Sequence, residues 1–314
     1  MNPRYIQRWA LVAVAVVLAL GTPARAQFRV VGYLPAWRSE MNPAQLAQLT
    51  HVNYAFLLPT ATGGLAPLEN PAKLRRLVAA AHATGVRVLV SVGGWHDGDH
   101  SAFDAISTNA AYINTFTANL MQFAAAYQLD GIDIDWEHPD ASTAAGYGAL
   151  MAALAAQLHP RGLLLTAAVA GGTWAGPGIP SSVFKNVDFL NIMAYDAPPP
   201  AHATYEGAVE TLAYWKGRGL PATKAVLGLP FYGRPTGEAF AALVAQGAPP
   251  SADLFGGVGY NGGPTIVRKA NLAFDQGSGV MVWELTQDAA GANSLLAAIT
   301  RVVAQRTGAG APVR

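Results

Sequence analysis

Beyond residue 27 the chain alternates short runs of branched apolar residues with longer stretches in which Ala and Leu recur at helical spacing. The runs FRVVGYL, HVNYAFL, VRVLVSV, DGIDIDW, GLLLTAAV, VDFLNIMAY, KAVLGLPFY and SGVMVWEL have strand length and strand composition. Between them the spacing predicts helices over residues 71–84, 110–127, 143–158, 205–215 and, with a less regular pattern, 264–275. The first of these opens with Pro71 in a first-turn position and stops at Gly85. Strand and helix alternate across residues 27–306 with no Pro/Gly/Ser linker, which predicts one α/β domain folded as a (β/α)8 TIM barrel. A doubly wound open sheet is the competing architecture, yet no G-x-G-x-x-G opens a helix after the first strand.

The two ends of the chain read differently. Arg4 and Arg8 precede an apolar run from Trp9 to Leu20, and Ala24-Arg25-Ala26 follows it. That order predicts a secretory signal over residues 1–26, cleaved to leave a chain that starts at Gln27 and is secreted or periplasmic. The apolar run is shorter than the roughly 18 residues that span a bilayer, so no membrane attachment is expected after cleavage. At the other end, residues 307–314 are rich in Gly, Ala and Pro and are predicted to be a disordered tail.

Composition removes several function classes. The chain has 314 residues, 52% of them hydrophobic and 12% charged, enough to bury a large core without disorder. It has no cysteine, which excludes disulfides and thiol chemistry. Lys and Arg number 20 against 19 Asp and Glu, with no basic cluster, so nucleic acid is not an expected partner. A monomer is expected.

In a TIM barrel the site lies at the C-terminal ends of the strands, which is where candidate residues should be sought. Trp37, Trp95, Trp136, Trp174 and Trp283 fall at or just past those ends. Each alone is ordinary core material, but together their flat faces suit the apolar faces of pyranose rings. Trp136 has the wrong parity for the site and is assigned to packing, as is Trp215 on a helix. The fourth strand carries Asp133, Asp135 and Glu137 at alternate positions, so all three project to one side, about 7 Å apart at each step. With Ile132, Ile134 and Trp136 facing the helices, the acids point into the barrel, where an unpaired charge is costly. Three readings fit such a ladder: a hydrogen-bonded structural network, a divalent metal site on oxygen ligands, or acid catalysis by a carboxyl whose pKa crowding and burial have raised. Asp130 has the opposite parity and is expected to be structural. His96, Asp97, Asp99 and His100 lack an aligning spacing and are expected in a solvated loop rather than a metal cluster.

The stretch DGIDIDWE resembles the D-x-x-D-x-D-x-E signature of family 18 glycoside hydrolases, the chitinase family. SVGG at 91–94, MAYD at 193–196, GLPFYGR at 228–234 and GVMVWEL at 279–285 are similar to further segments of that family, in the right order along nearly the whole mature chain. The resemblance implies hydrolysis of β-1,4 bonds between N-acetylglucosamine units, with the acetamido group of the substrate as nucleophile and retention of configuration. Glu137 would be the general acid and base. Asp135 would orient the acetamido N–H, Asp133 would share a proton with Asp135, and the Tyr195 hydroxyl would donate to the acetamido carbonyl. Trp283 would form the floor under the sugar. Tyr33 and Ser91 would bond to Asp133 from below, while Trp95, Met193, Asp196, Tyr232 and Arg234 would touch the substrate or brace the site. Chitin or its oligosaccharides are then the expected partners, with no metal and no cofactor.

Residues 235–278 show no strand-rich addition of the kind that walls the cleft in many processive members, so an open groove and endo-acting cleavage are expected. Two alternatives stay open: the same chemistry on an N-glycan chitobiose core or a peptidoglycan fragment, and a non-catalytic sugar-binding lectin. The presence of Glu137 weighs against the lectin.

Overall fold

Eight parallel strands close into a barrel: β1 (Arg29–Pro35), β2 (His51–Leu57), β3 (Arg87–Gly94), β4 (Gly131–Trp136), β5 (Leu164–Ala170), β6 (Phe189–Met193), β7 (Ala225–Pro230) and, last in the chain, β10 (Gly279–Trp283), which pairs with both β1 and β7. The computed structural model describes residues 28–308. The predicted signal over 1–26 and the tail beyond Gly308 lie outside those residues, while Thr307, assigned above to the tail, is the last residue of a helix. Each predicted strand run overlaps one of the barrel strands, with ends shifted by at most two residues.

The helices lie outside the barrel: α1 (Pro43–Leu46), α2 (Pro71–His82), α3 (Ser101–Ser107), α4 (Ala110–Tyr127), α5 (Ala144–Leu158), α6 (Val183–Asn186), α7 (Tyr205–Gly217), α8 (Phe240–Ala245), α9 (Gly263–Gln276) and α10 (Leu295–Thr307). The five predicted helices correspond to α2, α4, α5, α7 and α9. Side-chain caps fix several starts, Asn109 accepting from the Ala111 N–H of α4 and Thr204 from the Gly207 N–H of α7, each at 2.9 Å. Residues 235–278 hold α8, α9 and a hairpin of two-residue strands, β8 (Leu254–Phe255) and β9 (Val258–Gly259), but no larger sheet.

Strand parity sorts the core into two layers. Ile132, Ile134, Trp136 and their equivalents pack between barrel and helices, where Trp136 stacks on Phe103 with ring centres 5.1 Å apart. Trp215 is also fully buried there, its indole N–H donating to the Ala170 carbonyl. A second, smaller cluster fills the barrel interior: Val31, Tyr33, Ala55, Phe189, Val226 and Met281, topped by the half-buried Phe56, Met193, Tyr195 and Trp283. Asp130, at the foot of β4, accepts from the Val88 N–H at 2.7 Å and lies 2.9 Å from His82 Nε2, the structural role its parity predicted.

The β3–β4 contact explains one motif directly. Gly93 lies opposite Asp135, and a Cβ built on it would sit 2.3 Å from the Asp135 carbonyl oxygen. Its φ of +110° is open to glycine and strained for any other residue. The first glycine of SVGG is therefore what lets β4 carry its acids so close to β3.

Candidate active site

Register places a set of donors around the deepest acid. Asp133 faces Ser91 on β3 and Thr166 on β5. One carboxylate oxygen accepts from the Tyr33 hydroxyl at 2.7 Å and from Ser91 Oγ at 2.8 Å; the other accepts from Thr166 Oγ1 at 2.5 Å and from Asn191 Nδ2 at 3.2 Å. All five residues are buried. Burial pushes the Asp133 carboxyl up, and the hydrogen bonds from Thr166, Tyr33, Ser91 and Asn191 pull against it without cancelling the rise. Tyr33 and Ser91 were expected here; Thr166 and Asn191 were not singled out. Ser91 and Asp133 lie beneath the cleft rather than on its wall.

Asp135, one step up, is the opposite case. It is buried, and its Oδ1 has no hydrogen-bond partner. Burial first, then the charges of Glu137 and Asp133, hold its carboxyl well above the ordinary range. A shared proton between Asp133 and Asp135 was expected; burial raises both carboxyls, and the donors on both oxygens of Asp133 weight the pair toward a proton on Asp135. Glu137 is the outermost acid, with its side chain 15% exposed. Burial, with the charge of Asp196 second, raises it to about 7, so that near neutrality it carries a transferable proton.

The acids open into a cleft of about 1170 Å³ at the C-terminal ends of the strands. Of the residues singled out above, Tyr33, Trp95, Asp135, Glu137, Met193, Tyr195, Asp196, Tyr232, Arg234 and Trp283 all line it. The Tyr195 hydroxyl has Met281 Sδ at 3.8 Å as its neighbour, a weak acceptor that leaves the donor free for a stronger one. Asp196 accepts from both nitrogens of the Arg234 fork, at 2.7 and 2.8 Å, and from the Tyr232 hydroxyl at 2.7 Å. Partial burial works against its ionisation, but the bonds from Arg234, His202 and Tyr232 prevail and hold it well below the usual carboxylate range. Asp196 is thus a fixed anion beside Glu137.

Aromatic faces form the walls. Trp283 stands edge-on to Tyr33 and stacks on Phe56 at 5.6 Å, and Trp37 lies 6.1 Å from Phe56. Across the cleft, exposed Trp95 and Trp174 flank His138, whose ring centre is 4.8 Å from that of Trp174. His138 Nε2 is 3.3 Å from Glu137 Oε2, and burial, then the charge of His100, lowers its pKa to about 4, leaving the imidazole neutral at pH 7. Phe56 and His138 were missed: Phe56 reads as an ordinary strand apolar and His138 as a loop residue. His96, Asp97 and Asp99 are exposed in the loop after β3, with Asp99 accepting from the Ser101 N–H at 3.0 Å.

A family model for glycosyl hydrolases family 18 matches residues 29–246, most of the described barrel and every carboxylate of the ladder. The chain belongs to glycosyl hydrolase family 18. A chitinase-like effector of Moniliophthora roreri is 32% identical over 260 residues, 71% of this chain and 63% of the relative, so the chain spans less than two thirds of that protein. The crystal structure of the GH18 chitinase ChiB from the chitin utilization locus of Flavobacterium johnsoniae superposes with a TM-score of 0.79 at 28% identity, covering 90% of this chain and 95% of that one. A chitinase-like agglutinin from Robinia pseudoacacia superposes with a TM-score of 0.74 at 23% identity over 87% of this chain and 99% of its own, a likeness of fold alone. The same fold therefore occurs in a protein named as a chitinase and in one named as an agglutinin, and the side chains in the cleft must distinguish them.

Proposed function

We propose that the protein is an exported, endo-acting chitinase-like glycosidase that cleaves β-1,4 bonds between N-acetylglucosamine units by substrate-assisted, retaining catalysis. The observation that carries this reading is a pair of unsatisfied polar groups in the cleft, the unpartnered Asp135 Oδ1 and the Tyr195 hydroxyl with only a thioether for company. Buried polar atoms left without partners call for an explanation. An acetamido group supplies both missing partners, its N–H for Asp135 and its carbonyl oxygen for Tyr195.

The chemistry follows from that placement. Protonated Glu137 gives its proton to the glycosidic oxygen as the bond to the anomeric carbon breaks. The acetamido oxygen, held by Tyr195, attacks the anomeric carbon and closes an oxazolinium ring. Positive charge grows beside Asp135 and favours its ionised form, its proton passing down the ladder to Asp133, and the Asp135 carboxylate stabilises the ring. Glu137, now a carboxylate, takes a proton from the incoming water, whose oxygen bonds to the anomeric carbon as the ring reopens. Asp133 stays pinned by its donors and keeps the ladder straight. Trp37, Trp95, Trp174 and Trp283 offer stacking faces for neighbouring sugars.

Turnover of a fluorogenic chitobioside by the wild type and by Glu137→Gln tests the catalytic assignment. The substitution is expected to abolish hydrolysis while preserving oligosaccharide binding; equal activity in both proteins refutes it, and binding without wild-type turnover makes the protein a lectin. Comparing N-acetylated with deacetylated oligosaccharides tests the role of the acetamido group, and equal rates on the two would reject it.

A further inference from the structure

Trp37 lines the cleft from the turn that follows β1. Its side chain is exposed, and its aromatic neighbour, Phe56, has its ring centre 6.1 Å away. A ring so lightly packed takes its direction from the backbone that carries it. That backbone is a turn in which the Arg38 N–H donates to the Pro35 carbonyl at 3.2 Å. Lys73, buried in the first turn of α2, reaches the same turn: its Nζ donates to the carbonyls of Pro35 at 2.7 Å, Arg38 at 2.8 Å and Ala36 at 3.4 Å. Asn70 Nδ2 adds a bond to the Ala36 carbonyl at 2.7 Å. An ammonium group has three N–H donors, and here they meet three carbonyls drawn from both sides of Trp37.

On other counts this is a poor place for a cation. The first turn of a helix carries the positive end of its dipole. Burial lowers the Lys73 pKa, and the charges of Glu40, Glu284 and Glu69 oppose that from a distance. Among the described residues Lys73 forms no ion pair, since Glu284 and Glu40 pair with Arg38 and Arg76. Its buried charge is therefore satisfied by backbone carbonyls alone, where an apolar residue would fill the space without that desolvation cost. What an apolar residue cannot do is fix the directions of the three carbonyls, and with them the backbone on both sides of Trp37. We propose that Lys73 is a positioning residue for sugar binding, which sets the angle at which Trp37 faces the cleft and hence the affinity for chains long enough to reach that ring. This rests on the reading of the cleft as a sugar site given above.

Lys73→Met keeps the length and the apolar stem and removes the three donors. Chitohexaose binding is measured by calorimetry for Lys73→Met, Trp37→Ala and the double variant, each in the Glu137→Gln background. Trp37→Ala should weaken binding by up to roughly tenfold, the worth of one aromatic face, and Lys73→Met by about fivefold. The double variant should bind no more weakly than Trp37→Ala, because Lys73 acts through that ring. A general loosening of the fold would instead multiply the two effects, and that result overturns the proposal. Asn70→Gly, which suits the left-handed backbone of Asn70 (φ 51°) and removes a single bond to the turn, gives a second test should Lys73→Met fail to fold, and it should weaken binding in the same direction. Unchanged affinity in folded Lys73→Met, with binding weakened in Trp37→Ala, overturns the positioning role alone. Unchanged affinity in Trp37→Ala overturns the proposal at its other end, and no binding of chitohexaose by the Glu137→Gln parent overturns the sugar reading as well.

Discussion

Replacing the candidate acid should make the protein more stable, and only above a definite pH. The Glu137 carboxyl ionises near 4.5 in an unfolded chain and near 7 in the folded one, chiefly because it is buried and secondarily because Asp196 is close. Between those values the folded protein holds a proton that the unfolded chain has released, so stability falls as pH rises through the window. At about 1.36 kcal/mol for each pH step between the two values, the loss is complete above pH 7 and is on the order of 3 kcal/mol. Glutamine keeps the shape and polarity of the protonated acid and has nothing to ionise. Glu137→Gln should therefore match the wild type near pH 4 and exceed it by about 3 kcal/mol near pH 8. It also removes a charge that raises Asp135, which adds to the difference at high pH. Urea unfolding of both proteins at the two pH values measures this directly, with slopes compared to ensure that the same transition is observed. A stability difference that stays constant across the range, or one larger at pH 4, would show that Glu137 is not a buried acid held protonated by its surroundings.

The same electrostatics set the pH dependence of activity. Since the acid must start protonated, kcat/KM is expected to fall as pH rises through about 7, and Asp196→Asn, which removes a charge that raises Glu137, should move that limb to lower pH; a profile from pH 4 to 9 reads the shift. Thr166→Val removes the 2.5 Å donor to Asp133 and leaves that oxygen with Asn191 alone, so we expect a loss of about 1–3 kcal/mol in urea unfolding and a lower kcat with little change in KM. Trp174→Ala should raise KM for a hexasaccharide by up to roughly tenfold, the worth of one aromatic face, and leave turnover of a chitobioside nearly unchanged; steady-state kinetics on both substrates decide it.

Much of this site was legible because its key rule is local. Period-two alternation along DGIDIDWE assigns Asp133, Asp135 and Glu137 to one side and Ile132, Ile134 and Trp136 to the other, and the barrel follows that parity without exception at these positions. What could not be read was the identity of partners that arrive from other strands. Thr166 and Asn191 meet Asp133 only because β5 and β6 close the barrel in a particular register, and a Thr or Asn inside an apolar strand carries no mark of its destination. Phe56 was hidden for the same reason, since its place beside Trp283 depends on closure of the sheet. The short helices α1, α6 and α8 have too few turns for periodicity to register, and α3 follows directly on a loop whose polar residues masked its start.

The ladder's usefulness lies in the uneven way the barrel treats its members. Three carboxyls of like charge in one file compete for protons, and symmetry alone would spread the protonation among them. The barrel breaks that symmetry by directing every nearby donor at the lowest member: four hydrogen bonds converge on Asp133, while Asp135 Oδ1 receives none. Donors stabilise the anion they touch, so Asp133 is raised by burial against their pull, whereas Asp135 without them is raised well above the ordinary range, which weights the protons toward the cleft side of the file. Above them Asp196, neutralised by Arg234 yet still an anion facing Glu137, closes the file from the other end. Proton-holding capacity is thereby concentrated at the two positions where a substrate can reach it. Saturating the foot of the ladder and starving its top is what, on the proposed reading, leaves the outermost of three crowded acids protonated near neutral pH.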